Sequence, residues 1–290
     1  GNGMQGLSSE SKIISANILT GNHHIGLMND DTGAMIVAAL LGADVISCSW
    51  HYNYAPGDED LFADNYSDIF DYIHEVGRDG KGTVLVWSSG NTGGQIPAPN
   101  NDNLVITVGG IAKNGNLIPA FNNGESLDLV VPSAWGNLAD VVTTDMMGQE
   151  GTSESDYRDD FGGTSACAPI VSAAVALLLA NEPELSWEEV HTRLFCSAKD
   201  IGEIGWDALT GFGLLNVEGA LAGCNTSNCF EDTYDFNLPY IVSGDQIINE
   251  ATSFKYDITI PSVGPLTVIA AIHMQPGSII PVEPGGHLNL

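Results

Sequence analysis

The sequence predicts an α/β chain built on a doubly wound, mostly parallel sheet and followed by a small all-β module. Two observations carry this. Up to about residue 223, short β-branched runs that are apolar almost throughout alternate with longer stretches at helical spacing, the pattern of a parallel sheet covered on both faces. Beyond 235 helical spacing is absent, and short alternating runs are punctuated by Pro276-Gly277 and Gly285-Gly286 turns. The division expected is 1–223 for the α/β domain, 224–234 for a polar linker and 235–290 for the β module.

Taken in order, the expected strands are 12–19, 43–50, 83–88, 104–108 and 127–131. The expected helices are 32–41, rich in Ala, Leu and Met; 61–76, with Phe62, Tyr66, Ile69, Phe70 and Ile73 at helical intervals; 165–180; and 186–194. In the last module Ile258, Ile260, Leu266, Val268, Ile272 and Met274 fall in short strands. Two architectures fit that pattern, the first coils of a parallel β-solenoid and a small β-sandwich.

Composition narrows function by exclusion. Eight Lys and Arg against 37 Asp and Glu give a formal charge of −29 over 290 residues. Such a polyanion repels phosphate backbones and anionic head groups, so no nucleic-acid partner is expected. The 43 % of hydrophobic residues excludes wholesale disorder. No uninterrupted apolar run reaches the roughly 18 to 20 residues that cross a bilayer, and no transmembrane segment is expected. Cys48, Cys167 and Cys196 lie in apolar segments and read as core residues, while Cys224 and Cys229 flank a polar loop short enough for a disulfide. A disulfide there implies an oxidising compartment.

The most informative stretch is Phe161-Gly162-Gly163-Thr164-Ser165-Ala166-Cys167-Ala168-Pro169. Two glycines turn the chain tightly, and the helix that follows aims its unpaired N–H groups and positive end beside Ser165. A nucleophilic serine needs that setting, because acyl transfer develops an oxyanion next to the attacked carbon. Gly-Gly-Thr-Ser alone favours a simpler reading, in which Thr164 or Ser165 is only a helix N-cap.

The longer string resembles the serine motif of the subtilisin-like (subtilase) serine peptidases, and other segments are similar to that family in its order. Gly42-Ala43-Asp44-Val45-Ile46-Ser47-Cys48-Ser49-Trp50 resembles the substrate-lining strand. Gly77-Arg78-Asp79-Gly80-Lys81-Gly82, then 84–87 and Ser88-Ser89-Gly90-Asn91, resemble the helix end, strand and oxyanion-hole loop. Val141-Val142-Thr143-Thr144-Asp145 and Gly211-Phe212-Gly213-Leu214-Leu215-Asn216 complete the set. Several look most like the kexin-type branch. The resemblance implies a serine endopeptidase acting on proteins or peptides as a monomer, secreted or at the cell surface. It implies Ser165 as nucleophile, Asn91 as oxyanion donor, and Ser49, Trp50, Ser88, Ser89 and Gly90 as substrate-lining residues. It also implies structural Ca2+, with Asn2 and Met4 as the matching ligands.

Departures from the family pattern matter as much. The family triad runs Asp, His, Ser along the chain, yet no His-Gly-Thr occurs here, so the expectation is a segment lacking the catalytic Asp and His. A non-catalytic surface or binding module is the alternative. Asp31-Thr32-Gly33, with His51, imitates the missing pair; Asp31 leads into a helix and reads as its N-cap, so this triad is set aside. Tyr54 stands where kexin-type relatives carry an acid, so dibasic specificity is not inferred. The His23-His24 pair reads as solvated, His74 and His191 as surface or half-buried, and the acidic clusters around Asp58 and Asp159 as solvated loops.

Overall fold

The computed structural model describes residues 6–16, 18–20, 24–25, 29–52, 59–136, 141–153 and 155–223, and beyond them seven short strands between 240 and 289. Elements in the first part run β1 (Leu19–Thr20), β2 (His24–Ile25), α1 (Asn29–Leu40), β3 (Val45–Cys48), α2 (Glu59–Val76), β4 (Val84–Ser88), β5 (Val105–Ile111), β6 (Leu129–Pro132), β7 (Val141–Thr144), β8 (Tyr157–Phe161), α3 (Thr164–Asn181), α4 (Trp187–Ser197) and α5 (Val217–Ala222).

Strands β3, β4, β5 and β6 form one parallel sheet in that order, with Val45 opposite Val84, Leu85 opposite Val105 and Val108 opposite Leu129. Both faces are covered, as apolar strands require. Val84, Val86, Ile106, Val108, Leu129 and Val131 pack against Cys167, Val171, Val175 and Leu178 of α3. Leu85, Trp87 and Val105 face the other way, onto Met35 and Ala39 of α1 and Tyr66, Phe70 and Ile73 of α2. The period-two split of β4 between two cores is what a doubly wound sheet demands of a central strand.

Helix α3 has 18 residues and is apolar enough to cross a membrane by composition, the only such helix among the described residues. Ten of its residues are buried in the protein, which accounts for its character. Helix α4 is closed by a capping box: Ser186 Oγ accepts from Glu189 N at 3.3 Å and Ser186 N donates to the Glu189 carboxylate at 2.8 Å.

The Gly-Arg-Asp-Gly-Lys-Gly segment has a structural explanation. Arg78 and Asp79 both adopt left-handed backbone angles, and a Cβ at Gly82 would lie 2.3 Å from the Trp187 ring. The Arg78 guanidinium, almost wholly buried, pairs with Asp44 at 3.4 Å and donates to Gly82 O and Pro183 O. One turn thereby fastens α2 to the approaches of β3, β4 and α4.

Several expectations need correction. Residues 12–16 are exposed and irregular, and only Leu19–Thr20 of that segment is a strand. Apolar residues make a strand only where a neighbouring strand takes up their backbone groups. Asp31 is not an N-cap: α1 starts at Asn29, and Asp31 lies inside it, fully buried. His74 and His191 are buried rather than superficial, at 6 % and 1 % exposure. Cys48 and Cys167 are free core thiols as expected, but Cys196 is disulfide-bonded. The Cys224 and Cys229 expectation lies outside the described residues.

In the last segment the strands β9 (Tyr240–Ile241), β10 (Gln246–Ile248), β11 (Thr252–Phe254), β12 (Ile258–Thr259), β13 (Pro265–Val268), β14 (Ile272–Met274) and β15 (His287–Asn289) pair only in parallel among themselves. Gln246 lies opposite Leu266 and Thr252 opposite Ile272, so a strand meets the one about twenty residues further along.

Candidate active site

The site gathers where the carboxyl ends of β3, β4 and β6 meet the N-terminus of α3, the place where open α/β sheets commonly present ligand-binding groups. Ser165 is the second residue of α3, half-buried, and its N–H belongs to the first turn, which has no intrahelical acceptor. Pro169, four residues on, has no N–H, so the Ser165 carbonyl loses its helical donor. The Ser49 hydroxyl takes that place and donates to Ser165 O at 3.0 Å. In return Ser165 Oγ donates to Ser49 O at 3.3 Å, a reciprocal pair that docks the end of β3 on the serine.

Asn91 follows β4 by three residues. Its Oδ1 accepts from Thr164 N at 2.9 Å and from Thr164 Oγ1 at 3.1 Å. A backbone N–H can only donate, so the amide orientation is fixed, and Nδ2 is left without a hydrogen bond among the described residues. Thr164 Oγ1 also accepts from Gly90 N at 3.1 Å. One threonine therefore ties the β4 loop to the start of α3.

Gly163 supplies a left-handed backbone conformation at the entry to α3. Gly163 has φ +80°, and a Cβ there would sit 3.5 and 3.6 Å from the two ends of the Asn91 amide and 3.6 Å from the Trp135 ring. Gly163 is held on its other side by Ser133 Oγ, which donates to its carbonyl at 2.8 Å, and by Ala134 O, which accepts from its N–H at 2.7 Å. Asn122 braces the next stretch: its N–H donates to Gly90 O, its Oδ1 accepts from Thr92 N and Oγ1 at 2.8 and 2.9 Å, and its Nδ2 donates to Gln95 O.

Of the expected lining residues, Ser49 is exposed, Trp50 half-buried, and Ser88, Ser89 and Gly90 are buried beneath the loop. The wall they form is fixed by Asn100, whose Nδ2 donates to Ser88 O at 2.7 Å and Trp50 O at 3.2 Å. Cys167, under the helix start, is pushed up to about 12 by burial, so it stays a thiol and does not compete as a nucleophile. The Asp31 carboxylate receives Thr32 N at 2.8 Å and the hydroxyls of Tyr52 and Tyr66, and no hydrogen bond joins it to His51. Asp31 instead forms a core polar cluster with Tyr52 and Tyr66, in which burial, then the Asp31 hydrogen bond, drives the Tyr66 hydroxyl far above its ordinary value. Among the described residues no histidine hydrogen-bonds to Ser165. Asn2, Met4 and Tyr54 lie outside the described residues.

Asn122, Ser133 and Trp135 were not singled out by sequence, and Thr164 was weighed only as a helix cap; Gly163 takes that position, and Thr164 instead binds Asn91. Asn122 and Trp135 occupy ordinary loops and carry no local signal.

A sequence model of the subtilase family matches residues 1–213. The chain belongs to the subtilase family. Among curated subtilase relatives, kexin from Saccharomyces cerevisiae is 30 % identical over 202 residues, covering 67 % of this chain and 23 % of kexin. A calcium-dependent protease from Nostoc sp. is 28 % identical over 221 residues, covering 66 % of this chain and 31 % of that protein. The chain thus spans under a third of the curated relatives it matches. Among solved structures, a lanthipeptide protease superposes with a TM-score of 0.61 at 24 % identity, covering 71 % of this chain and 68 % of that one. A protease from Pseudoalteromonas arctica gives 0.61 at 22 %, covering 76 % and 65 %. At those identities the structural likeness speaks to the fold, and a doubly wound subtilase fold is what the sheet and helices display.

Proposed function

We propose that the protein is a serine endopeptidase in which Ser165 attacks the peptide carbonyl and forms an acyl-enzyme. The observation that carries this reading is the fixed Asn91 amide, whose Oδ1 is held by Thr164 so that Nδ2 is available beside the serine. Ser165 Oγ forms the new C–O bond. The Asn91 Nδ2–H and the Ser165 N–H share the charge of the tetrahedral oxyanion, and its collapse expels the amine. An amide donor suits the task because it carries no charge to bind the ground state. The proton passes from Ser165 through a general base to the departing amine, and water later releases the acyl group. That base is proposed to be a histidine outside these 290 residues, paired with an Asp also outside them.

The test is labelling by a fluorophosphonate. Residues 1–290 alone are expected to stay unlabelled, the full-length natural protein to label at a normal rate, and Ser165→Ala to abolish it. A full-length protein that does not label would instead favour a non-catalytic binding module. An extracellular or cell-surface location is proposed as well, supported by the Cys196 disulfide. Protein or peptide substrates, no nucleic-acid partner and a monomeric state complete the reading. Structural calcium is proposed on the likeness to a calcium-dependent protease; no cluster of three or more His, Cys, Asp or Glu gathers among the described residues, and no step runs through it. The parallel twenty-residue register after 240 supports a β-solenoid as the last module, beyond a linker at 224–234.

A further inference from the structure

Trp135 is 45 % exposed, unusual for the largest side chain, although its ring edge meets Phe121 at a centroid distance of 5.9 Å and an interplanar angle of 83°. Its ring and the Asn91 amide contact the same methyl-sized space over Gly163, each at about 3.5 to 3.6 Å from it. A partly exposed aromatic ring therefore lies across one methyl-sized space from Asn91, the proposed oxyanion donor. The ring lies on one side only. Ser49, at the end of β3, touches Ser165 from the opposite flank of the sheet, whereas Trp135 follows β6, with order β3-β4-β5-β6 between them. On the peptidase reading above, Ser49 and Trp50 line the acyl portion of an extended peptide crossing Ser165, which leaves the departing portion on the flank of Trp135.

We propose that Trp135, backed by Phe121, is a specificity-determining residue on the leaving-group side and selects a large apolar or aromatic side chain on the residue that follows the scissile bond. The inference rests on the peptidase reading above and adds a substrate preference to it. Phe121, 4 % exposed and set edge-on against Trp135, limits the ring's freedom, so the shelf needs little ordering when a side chain covers it. Among the described residues no carboxylate is hydrogen-bonded to Trp135, so covering this ring desolvates little charge.

The experiment compares peptides that differ only at the position after the scissile bond, cleaved by the full-length natural protein, by Trp135→Ala and by Trp135→Phe. Phe or Leu at that position is expected to exceed Gly by about tenfold in kcat/KM, as one well-buried apolar contact allows. Trp135→Ala is expected to erase that preference while leaving the Gly peptide within about twofold, and Trp135→Phe to keep most of it. Ser165-dependent cleavage with the same preference in Trp135→Ala overturns this inference alone. Absence of any cleavage that Ser165→Ala removes overturns the peptidase reading, and this inference with it.

Discussion

At the scale of single residues, the Asn91 amide is the most informative group in the molecule. Thr164 supplies two donors to its Oδ1, and Gly163, at φ +80°, supplies the left-handed turn that leads into Thr164. Asn91→Leu keeps the branched shape but removes the donor, together with the acceptor that Thr164 uses, so on the proposed mechanism kcat for peptide hydrolysis by the full-length protein is expected to fall about 10²- to 10³-fold with KM nearly unchanged. A KM effect of equal size would mean that Asn91 binds the ground state instead. That the Asn91 loop meets the start of the Ser165 helix was legible, because each sits in a short motif of local character. Their supports were less so. The exchange between Ser49 and Ser165 depends on Pro169 having no N–H, and that becomes visible only when β3 is seen to end beside the helix. The buried state of Asp31 was hidden for the same reason: its partners Tyr52 and Tyr66 lie 21 and 35 residues away.

At the scale of elements, sheet strands and long helices were legible within two or three residues, since apolar period and length decide them. The hairpin of β7 and β8 was not, because Tyr157-Arg158-Asp159-Asp160-Phe161 carries three charges and is largely exposed. The contact between α2 and α4 escaped as well, and it makes the clearest pH prediction. His74 stacks on Trp187 at 4.1 Å, 5° from parallel, and His191 meets the same indole edge-on at 5.1 Å and 82°. Both His74 ring nitrogens and His191 Nε2 are buried without partners. Burial lowers His74 to about 4; burial, and then repulsion from His74, lowers His191 to about 3. In the unfolded chain both take up a proton near 6.5. The unfolded state thus binds more protons below that value, so the stability of neutral burial is complete above about 6.5 and is lost as pH falls toward 4 and 3, by on the order of 1.4 kcal/mol per pH unit for each histidine. Urea midpoints at pH 7 and pH 5 should reveal the fall, and His74→Phe, which keeps the stacking but cannot titrate, should lessen it. Equal pH slopes for the two proteins would remove His74 from the account.

At the scale of the whole molecule, the −29 charge has no counterpart in the pairing seen locally. The described ion pairs are few: Arg78–Asp44, Lys81–Glu184, Arg158–Asp160 and Arg193–Glu182, the last a two-point contact at 3.0 and 2.8 Å. Asp and Glu outnumber Lys and Arg by 29, and compaction brings like charges closer than in the unfolded chain, a cost that counter-ions reduce. Raising NaCl from 0.01 to 0.1 M shortens the screening length from about 30 to about 10 Å. Repulsion across the molecule is then cut while contacts at 3 to 4 Å persist. The melting temperature is expected to rise, by about 2 to 4 °C for each kcal/mol of repulsion relieved in a chain of this size. Calcium chloride at the same ionic strength separates screening from binding: an equal shift means screening alone, and a larger one that chelation reverses means a bound ion. A melting temperature that falls with NaCl would show that attraction between opposite charges outweighs repulsion among carboxylates, and that the surplus of acid lies in segments whose spacing folding leaves unchanged.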